Sequence, residues 1–557
     1  MKVNKISFLF FFSLIFCSLM FDSCKVYKNE NILVSSNILI DESMQSNIDF
    51  ILSEWLKKAS KSKGIDTIFF ESGKYYFSKQ LLSVVLNRNI CIQGLGDVKF
   101  YANQNVFHFK SPIVYSNKVN SNLKRGDKII QLEPMESKID LKHTILSIYS
   151  NDYVEVAWKY KKGEIQIIED YKNNIITLKD SLVFFYDSKE TTELIIYKPY
   201  KVILNNIEFV VNEGGQWNYD FLLRTDGCIS EANNLVFTNS KKEQEGTFWL
   251  IDRNVNCKIN NFKSTNLMYG LLLSYSKNIV ISKVEGNNCT HPVVPANFTQ
   301  NVFVDHFRGK NTSIDAHPSF DVHYNDIDID TGLDLFNCRS YGVTLTNCNF
   351  RCSSDNDKSS IYIGGIALKK EYEFLYDEFD IILKNVRWKH KIIGFNGLTV
   401  NRCKKFIVDN CETHMISTGN FIKSVEISNS KIGYFKCYDT NFKITNSKFI
   451  RSLQNLKITK PPLACSFSGS AEIVNCDFDG YNDYLLEFVS GPNSKILFKG
   501  CNITGIQEFV KQFQFPTNNY SNIEFINCKL PNLKQIPSQM EMQKKSILKN
   551  NKLKLQK

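Results

Sequence analysis

The chain has 557 residues, 43% of them hydrophobic, and no Pro/Gly/Ser-rich linker divides it, so its length exceeds what one compact core holds and points to an elongated repeat architecture. Its 68 basic and 57 acidic residues leave a formal net charge of +11, a modest excess spread along the chain that favours anionic partners. No basic helix or aromatic RNA-binding motif is present, which argues against nucleic acid as that partner.

Residues 1–24 read as a secretory signal: Lys2 and Lys5 precede an apolar run from Ile6 to Met20 that ends in Phe21-Asp22-Ser23-Cys24. The run is too short for a comfortable membrane span. A small residue followed directly by Cys resembles the bacterial lipobox, and that resemblance implies a protein exported to the bacterial cell envelope and held at the membrane or cell surface by a lipid on Cys24. Phe21 and Asp22 depart from the lipobox pattern, and the other reading is plain secretion with an unmodified thiol.

Residues 25–113 are expected to form an N-terminal cap and the first coils of the repeat. Ile48, Ile51, Leu52, Trp55, Leu56 and Ala59 recur at helical spacing behind a capping box at Ser46-Asn47-Ile48-Asp49, which predicts an amphipathic helix over the open end. Strand-like alternation follows from Ile65 to Phe77 and from Ile90 to Gly96, with glycines at the corners. Between 114 and 200 the pattern changes to short strands such as Gly163-Glu164-Ile165-Gln166-Ile167 and Asn174-Ile175-Ile176-Thr177-Leu178. This stretch predicts an inserted antiparallel β subdomain, either overhanging the coils to form a cleft or only shielding an edge.

From 201 to 533 a phrase recurs, roughly Ile/Val-x-Asn-Cys/Ser-x-Phe/Ile, centred on Asn347, Asn410, Asn429, Asn446, Asn475 and Asn527. Each copy has strand alternation on both sides of an Asn, a residue that tolerates the left-handed backbone of a tight corner. One such strand cannot bury its apolar face alone, whereas stacked coils bury a continuous core and pair their backbones in parallel ladders. Many of the 16 cysteines follow the corner Asn, where Ser430 and Ser447 replace them, so they read as small buried hydrophobes; a disulfide framework is the alternative. The last segment, 534–557, is a lysine-rich tail.

The helix, the strand–turn–strand opening at 65–96 and the coil phrase together resemble the pectate-lyase-like superfamily of right-handed parallel β-helix proteins, through to about Leu530. The resemblance implies an all-β solenoid. It does not choose a reaction, because that fold carries lyases, hydrolases, tailspikes and pure binders.

Histidine gives the sharpest chemical signal. The chain has eight, and His291, His306, His317 and His323 lie within 33 residues. His291 and His317 are 26 residues apart, so coils of that length would stack them on adjacent rungs with their rings about 5 Å apart. If Ala316 and Val322 point inward, Asp315 and His317, and likewise Asp321 and His323, face outward, and a carboxylate beside an imidazole suits a general acid or base. A histidine motif followed one coil later by Asp-x-His is also similar to a subgroup of bacterial and phage β-helix proteins that carry Asp-Thr-His there; this resemblance implies site roles for His291, Asp315 and His317, with Ala316 in the middle position. Asp305, His306, Asp321 and His323 are candidates by proximity alone. The alternative is a purely structural imidazole ladder.

Arg308 and Lys310 are expected to neutralise an anionic substrate, and Tyr269, Tyr275, Trp217 and Tyr219 are candidates for stacking on sugar rings, although most aromatics in such a chain fill the core. Asp326, Asp328 and Asp330 alternate, so three carboxylates facing one way would bind a calcium ion; a solvated strand face is the plainer explanation. The expected function is a lyase that cleaves an acidic, uronate-containing polysaccharide by β-elimination. The alternatives are a glycoside or phosphodiester hydrolase using the same surface and a non-catalytic glycan-binding surface lipoprotein.

Overall fold

The computed structural model describes residues 38–40 and 65–529, apart from 78–81, 103–105, 120, 135–138, 157–158, 212–220, 241–244, 332–335, 353–359, 391–396, 420, 438–439, 454–464, 468, 482–483, 489–494, 504–507 and 514–522. The signal segment with Cys24, the expected capping helix at 48–59, Trp217, Tyr219 and the basic tail from 534 lie outside the described residues.

The chain folds as a right-handed parallel β-helix, the hand that parallel crossovers adopt. In the central coils a long strand, bent at a left-handed corner, supplies a first and a second face, and a shorter strand supplies a third. One coil is Val255–Thr265, bent at Asn261 (φ 54°), followed by Leu267–Ser274; the next is Lys277–Asn287 followed by His291–Ala296. Side chains alternate in and out along each strand, so a single register lines up one buried residue per coil. On the first face that column runs Ile68, Ile92, Leu204, Ala232, Ile259, Ile281, Val304, Tyr324, Leu345 and Leu383, and then continues to Phe525. The core is this stack of parallel columns.

All six asparagines of the recurring phrase stand at positive φ, from 49° at Asn410 to 55° at Asn347. Their amides also hydrogen-bond from coil to coil, Asn410 Nδ2 donating to Asn385 Oδ1 at 2.7 Å and Asn475 to Asn446 at 3.3 Å. A Cβ in this conformation without a local side-chain bond costs about 1–2 kcal/mol, and the lost hydrogen bond about 1 kcal/mol more. Asn410→Ala is therefore expected to destabilise the protein by about 2–3 kcal/mol, read as a lowered urea midpoint, and Asn410→Gly should recover the backbone part. The residue after the corner is buried: Cys348, Cys411, Cys476 and Cys528, and Ser430 and Ser447 where the thiol is replaced. The fourteen described cysteines are free thiols.

Between the third-face strand Phe107–Lys110 and the first-face strand Lys201–Val211 the chain leaves the coil. It forms six antiparallel strands, from Ile113–Lys118 to Thr192–Tyr197, with short turns at Asn173-Asn174 and Arg125-Gly126. This insert has its own apolar core, which fuses with the coil corner through Phe298, Phe320 and Tyr341 and with the 3-10 helix Lys370–Asp377 through Tyr372, Leu375 and Tyr376. Phe184 of the insert packs edge-on against Phe298, ring centroids 5.2 Å apart. Polar ties add direction: Lys277 of the coil reaches Asp180 at 2.9 Å and Gln166 at 2.8 Å, and Lys369 reaches Asp152 at 2.6 Å.

Candidate functional site

The third face carries an outward column that can be followed by register, Asp226, Asp252, Ser274 and Ala296. The next coil contributes only the two-residue strand Asp315–Ala316, whose Ala316 is fully buried, so Asp315 and His317 turn outward as alternation requires. The His317 amide donates to the Pro295 carbonyl at 2.9 Å, which seats His317 beside Ala296, at the far end of the strand that His291 begins. The expected direct stacking of the two histidines is therefore corrected. Coils here repeat every 22 residues, Tyr269 pairing with His291, and not every 26.

The two imidazoles meet on one carboxylate instead. Asp315 Oδ2 lies 3.2 Å from His317 Nε2 and 3.6 Å from His291 Nε2. Burial opposes ionisation of Asp315, but the His317 hydrogen bond and the charges of His291, His317 and Arg339 outweigh it and hold the carboxyl below its ordinary range. His291 Nδ1 faces Ser313 Oγ at 3.1 Å, and the Ser313 hydroxyl donates to the Thr290 carbonyl at 2.9 Å. Ser313 is fully buried, so it fixes the His291 ring and is not placed to act as a nucleophile. Tyr269 stacks on His291 with centroids 5.4 Å apart.

The other nitrogen of His317 is engaged from the insert: Tyr160 Oη lies 2.7 Å from His317 Nδ1. Tyr160 stands just before the strand Lys161–Lys172, and its carbonyl accepts from the Val154 amide at 2.9 Å. In the tautomer with its proton on Nε2, toward the carboxylate, the ring accepts at Nδ1 from the phenol. The result is a relay, Tyr160 to His317 to Asp315. Burial raises the phenol above its ordinary range; Arg339 acts against this, and Asp315 and the buried Glu155 add to it. His317 keeps 25% of its side chain exposed, so the relay is open to a ligand.

No protein-family model and no curated protein matches the chain. Among solved structures it is similar to the tailspike gp61 of Pseudomonas phage phi297, at 12% identity over 86% of this chain and 76% of that one, TM-score 0.43. The Gp54 tailspike of Acinetobacter baumannii bacteriophage AP22, solved in complex with A. baumannii capsular saccharide, matches at 10% identity over 87% of this chain and 76% of that one, TM-score 0.40. The catalytic domain of a GH87 alpha-1,3-glucanase, in complex with tetrasaccharides, matches at 10% identity over 76% of this chain and 95% of that one, TM-score 0.23. The fold assignment rests on the chain's own ladders.

Other sequence candidates go elsewhere. His323 and Asp321 do pair, at 2.9 Å, and that hydrogen bond raises the imidazole above its ordinary value, but they sit on the first face in the column of Val280 and Phe303. His306 occupies a left-handed corner (φ 54°) with Asp305 at 2.5 Å and Asp326 at 3.4 Å. Arg308 and Lys310, expected beside the histidine pair, lie on the second face, with Arg308 bound to Asp326 at 2.7 Å. Tyr275 is covered by the insert, donating to the Lys161 carbonyl at 3.2 Å and packing on Tyr149. The three aspartates do not face one way: Asp326 is itself a corner residue (φ 51°), and Asp328 is paired with Arg351 at 2.7 Å. Among the described residues no group of three or more His, Cys, Asp or Glu side chains is arranged to hold a metal ion.

Sequence reasoning missed Tyr160 and Arg339, and also a second cluster at the start of the same column. Arg224 Nη2 reaches Asp226 at 3.0 Å and Asp252 at 3.2 Å, and His108 Nε2 reaches Asp226 at 3.2 Å. The Oδ1 atoms of both aspartates are buried with no donor. Burial, reinforced by the charge of Asp226 and opposed by Arg253 and Arg224, pushes the Asp252 carboxyl up to about 6. The available signal was spacing, since Asp226 and Asp252 are 26 residues apart at equivalent strand ends.

Folded Asp252 keeps its proton to about pH 6, whereas an unfolded aspartate loses it near pH 4. The fold binds the extra proton between those values, so this group's contribution to stability falls as pH rises from about 4 to 6. Asp252→Asn replaces the titrating carboxyl with a neutral amide. Urea titrations at pH 5 and 7.5 should show a smaller loss of stability with rising pH in the variant than in the parent; an equal loss would contradict the raised Asp252 carboxyl.

Proposed function

We propose that this protein is an exported polysaccharide-acting enzyme, lipid-anchored through Cys24, that cleaves an acidic, uronate-containing glycan by β-elimination on the third face of its coil. The observation that carries this reading is the Tyr160–His317–Asp315 relay at the junction of coil and insert. Elimination needs one proton removed from carbon 5, next to the carboxylate, and one delivered to the oxygen leaving carbon 4. His317 takes the Tyr160 proton, and Asp315 stabilises the imidazolium that forms. In the same step the phenol oxygen, as it gives up that proton, removes the carbon-5 proton, so that no free phenolate stands in surroundings that raise the phenol. The electron pair becomes the C4–C5 double bond, the C4–O bond breaks, the re-formed phenol protonates the leaving oxygen, and His317 returns its proton to Tyr160. No nucleophile or water enters, in keeping with the buried Ser313.

Elimination is favoured over hydrolysis because the paired acids of this face, Asp226 and Asp252, are both engaged by Arg224, at 3.0 and 3.2 Å.

The chain lacking residues 1–24 should be incubated with a panel of acidic and neutral glycans while ultraviolet absorbance of unsaturated sugar and release of reducing ends are recorded. Both signals rising together on a uronate polymer are expected. Reducing ends without absorbance would replace elimination with hydrolysis, and glycan binding with neither signal would make the protein a binder.

A further inference from the structure

Acidifying the carbon-5 proton of a uronate requires a cation on its carboxylate, close to the base that takes the proton. Arg308 and Lys310 cannot supply it from the second face. The coil after His317 does offer one. Asp315 pairs with Asn337 and Ala316 with Cys338, and the Arg339 amide donates to the Ala316 carbonyl at 2.7 Å. Arg339 therefore stacks on His317 one rung along, about 4.8 Å away at the backbone. Cys338 is fully buried, so Arg339 turns outward into the same column as His317 and is half-buried there.

We propose that Arg339 receives the substrate carboxylate and makes the site selective for acidic over neutral sugars. The inference rests on the elimination reading and names a residue that reading lacks. A guanidinium presents paired N–H donors that match both carboxylate oxygens, and Arg339 stands one rung from the His317 of the relay. Its charge already acts on this site, opposing the rise of the Tyr160 phenol and helping to keep Asp315 ionised.

The test measures binding in a Tyr160→Phe background, where the substrate is not consumed. Calorimetry would compare uronate oligosaccharides of galacturonate, glucuronate and mannuronate type with their carboxyl-reduced forms, with and without Arg339→Gln. The expected result is a loss of about 30-fold for the acidic oligosaccharide that binds, and less than about 3-fold for its reduced form, as for one charge-assisted contact. Arg339→Lys should recover part of the loss, and thermal melting checks that each variant is folded. Equal weakening of both forms, or no weakening in a folded variant, would overturn the role of Arg339 and leave the relay standing. Failure of every acidic oligosaccharide to bind the Tyr160→Phe protein would overturn the acidic substrate itself, and this inference with it.

Discussion

Tyr160→Phe should lower the turnover of glycan cleavage by about 10²–10⁴-fold, the range for loss of a positioned acid or base. The substitution removes one oxygen and leaves the ring that packs beside His317, centroids 6.3 Å apart, so KM should change little. His317→Ala should cost a similar factor, because the imidazole that takes the proton of the Tyr160 phenol is gone. The double variant should be little worse than either single one, since the two residues act as one unit. Steady-state kinetics on the glycan that responds in the panel would check this. Multiplying single-variant losses would show that the residues act separately and would remove the relay as the catalytic device.

Lys162→Met should have the largest structural effect. Lys162 is fully buried in the insert; its ammonium lies 2.7 Å from Glu190 Oε2, donates to Tyr372 Oη at 3.1 Å, and sits 4.8–5.5 Å from the rings of Phe185, Tyr186 and Tyr372. Asp152, at 3.9 Å, also faces it. Removing one partner of a buried pair costs about 3–5 kcal/mol; here Glu190 would keep the Ser150 hydroxyl but lose the Lys162 charge, while Asp152 would retain Lys369. The loss should be local. Hydrogen exchange in the strands Ile145–Tyr153 and Lys161–Lys172 should accelerate while the coil columns stay protected. Cleavage should fall in parallel, since Tyr160 is two residues away and depends on the insert for its place. Unchanged exchange would mean that apolar contacts such as Phe184 with Phe298 dock the insert without help.

Much of the architecture was legible because its determinants are local. Asparagine tolerates the left-handed region for reasons contained in one residue, so the recurring phrase marked six corners, all of which have positive φ. Period-two alternation is equally local: burying Ala316 turned Asp315 and His317 to the same side, and the antiparallel signature of the insert was visible in its short strands and turns. Asp321 and His323 were paired correctly by the same rule, and yet they belong to another face.

Which rung faces which was decided only by the tertiary structure. Register depends on the lengths of the loops between strands, and those loops carry no periodic signal, so equal spacing of His291 and His317 misplaced one ring against the other. Arg308 and Lys310 were assigned by closeness in sequence, although the corner at His306 sends them onto a different face. Tyr160 is 157 residues from the histidine it contacts, and nothing in its neighbourhood distinguishes it from the other tyrosines. The sequence by itself determined the coil, its corners and the side on which each residue stands, because backbone preference and alternation act over a few residues. The meeting of Tyr160, His317, Asp315 and Arg339 was decided by stacking and docking, which sum many weak contacts over distances that no local pattern records.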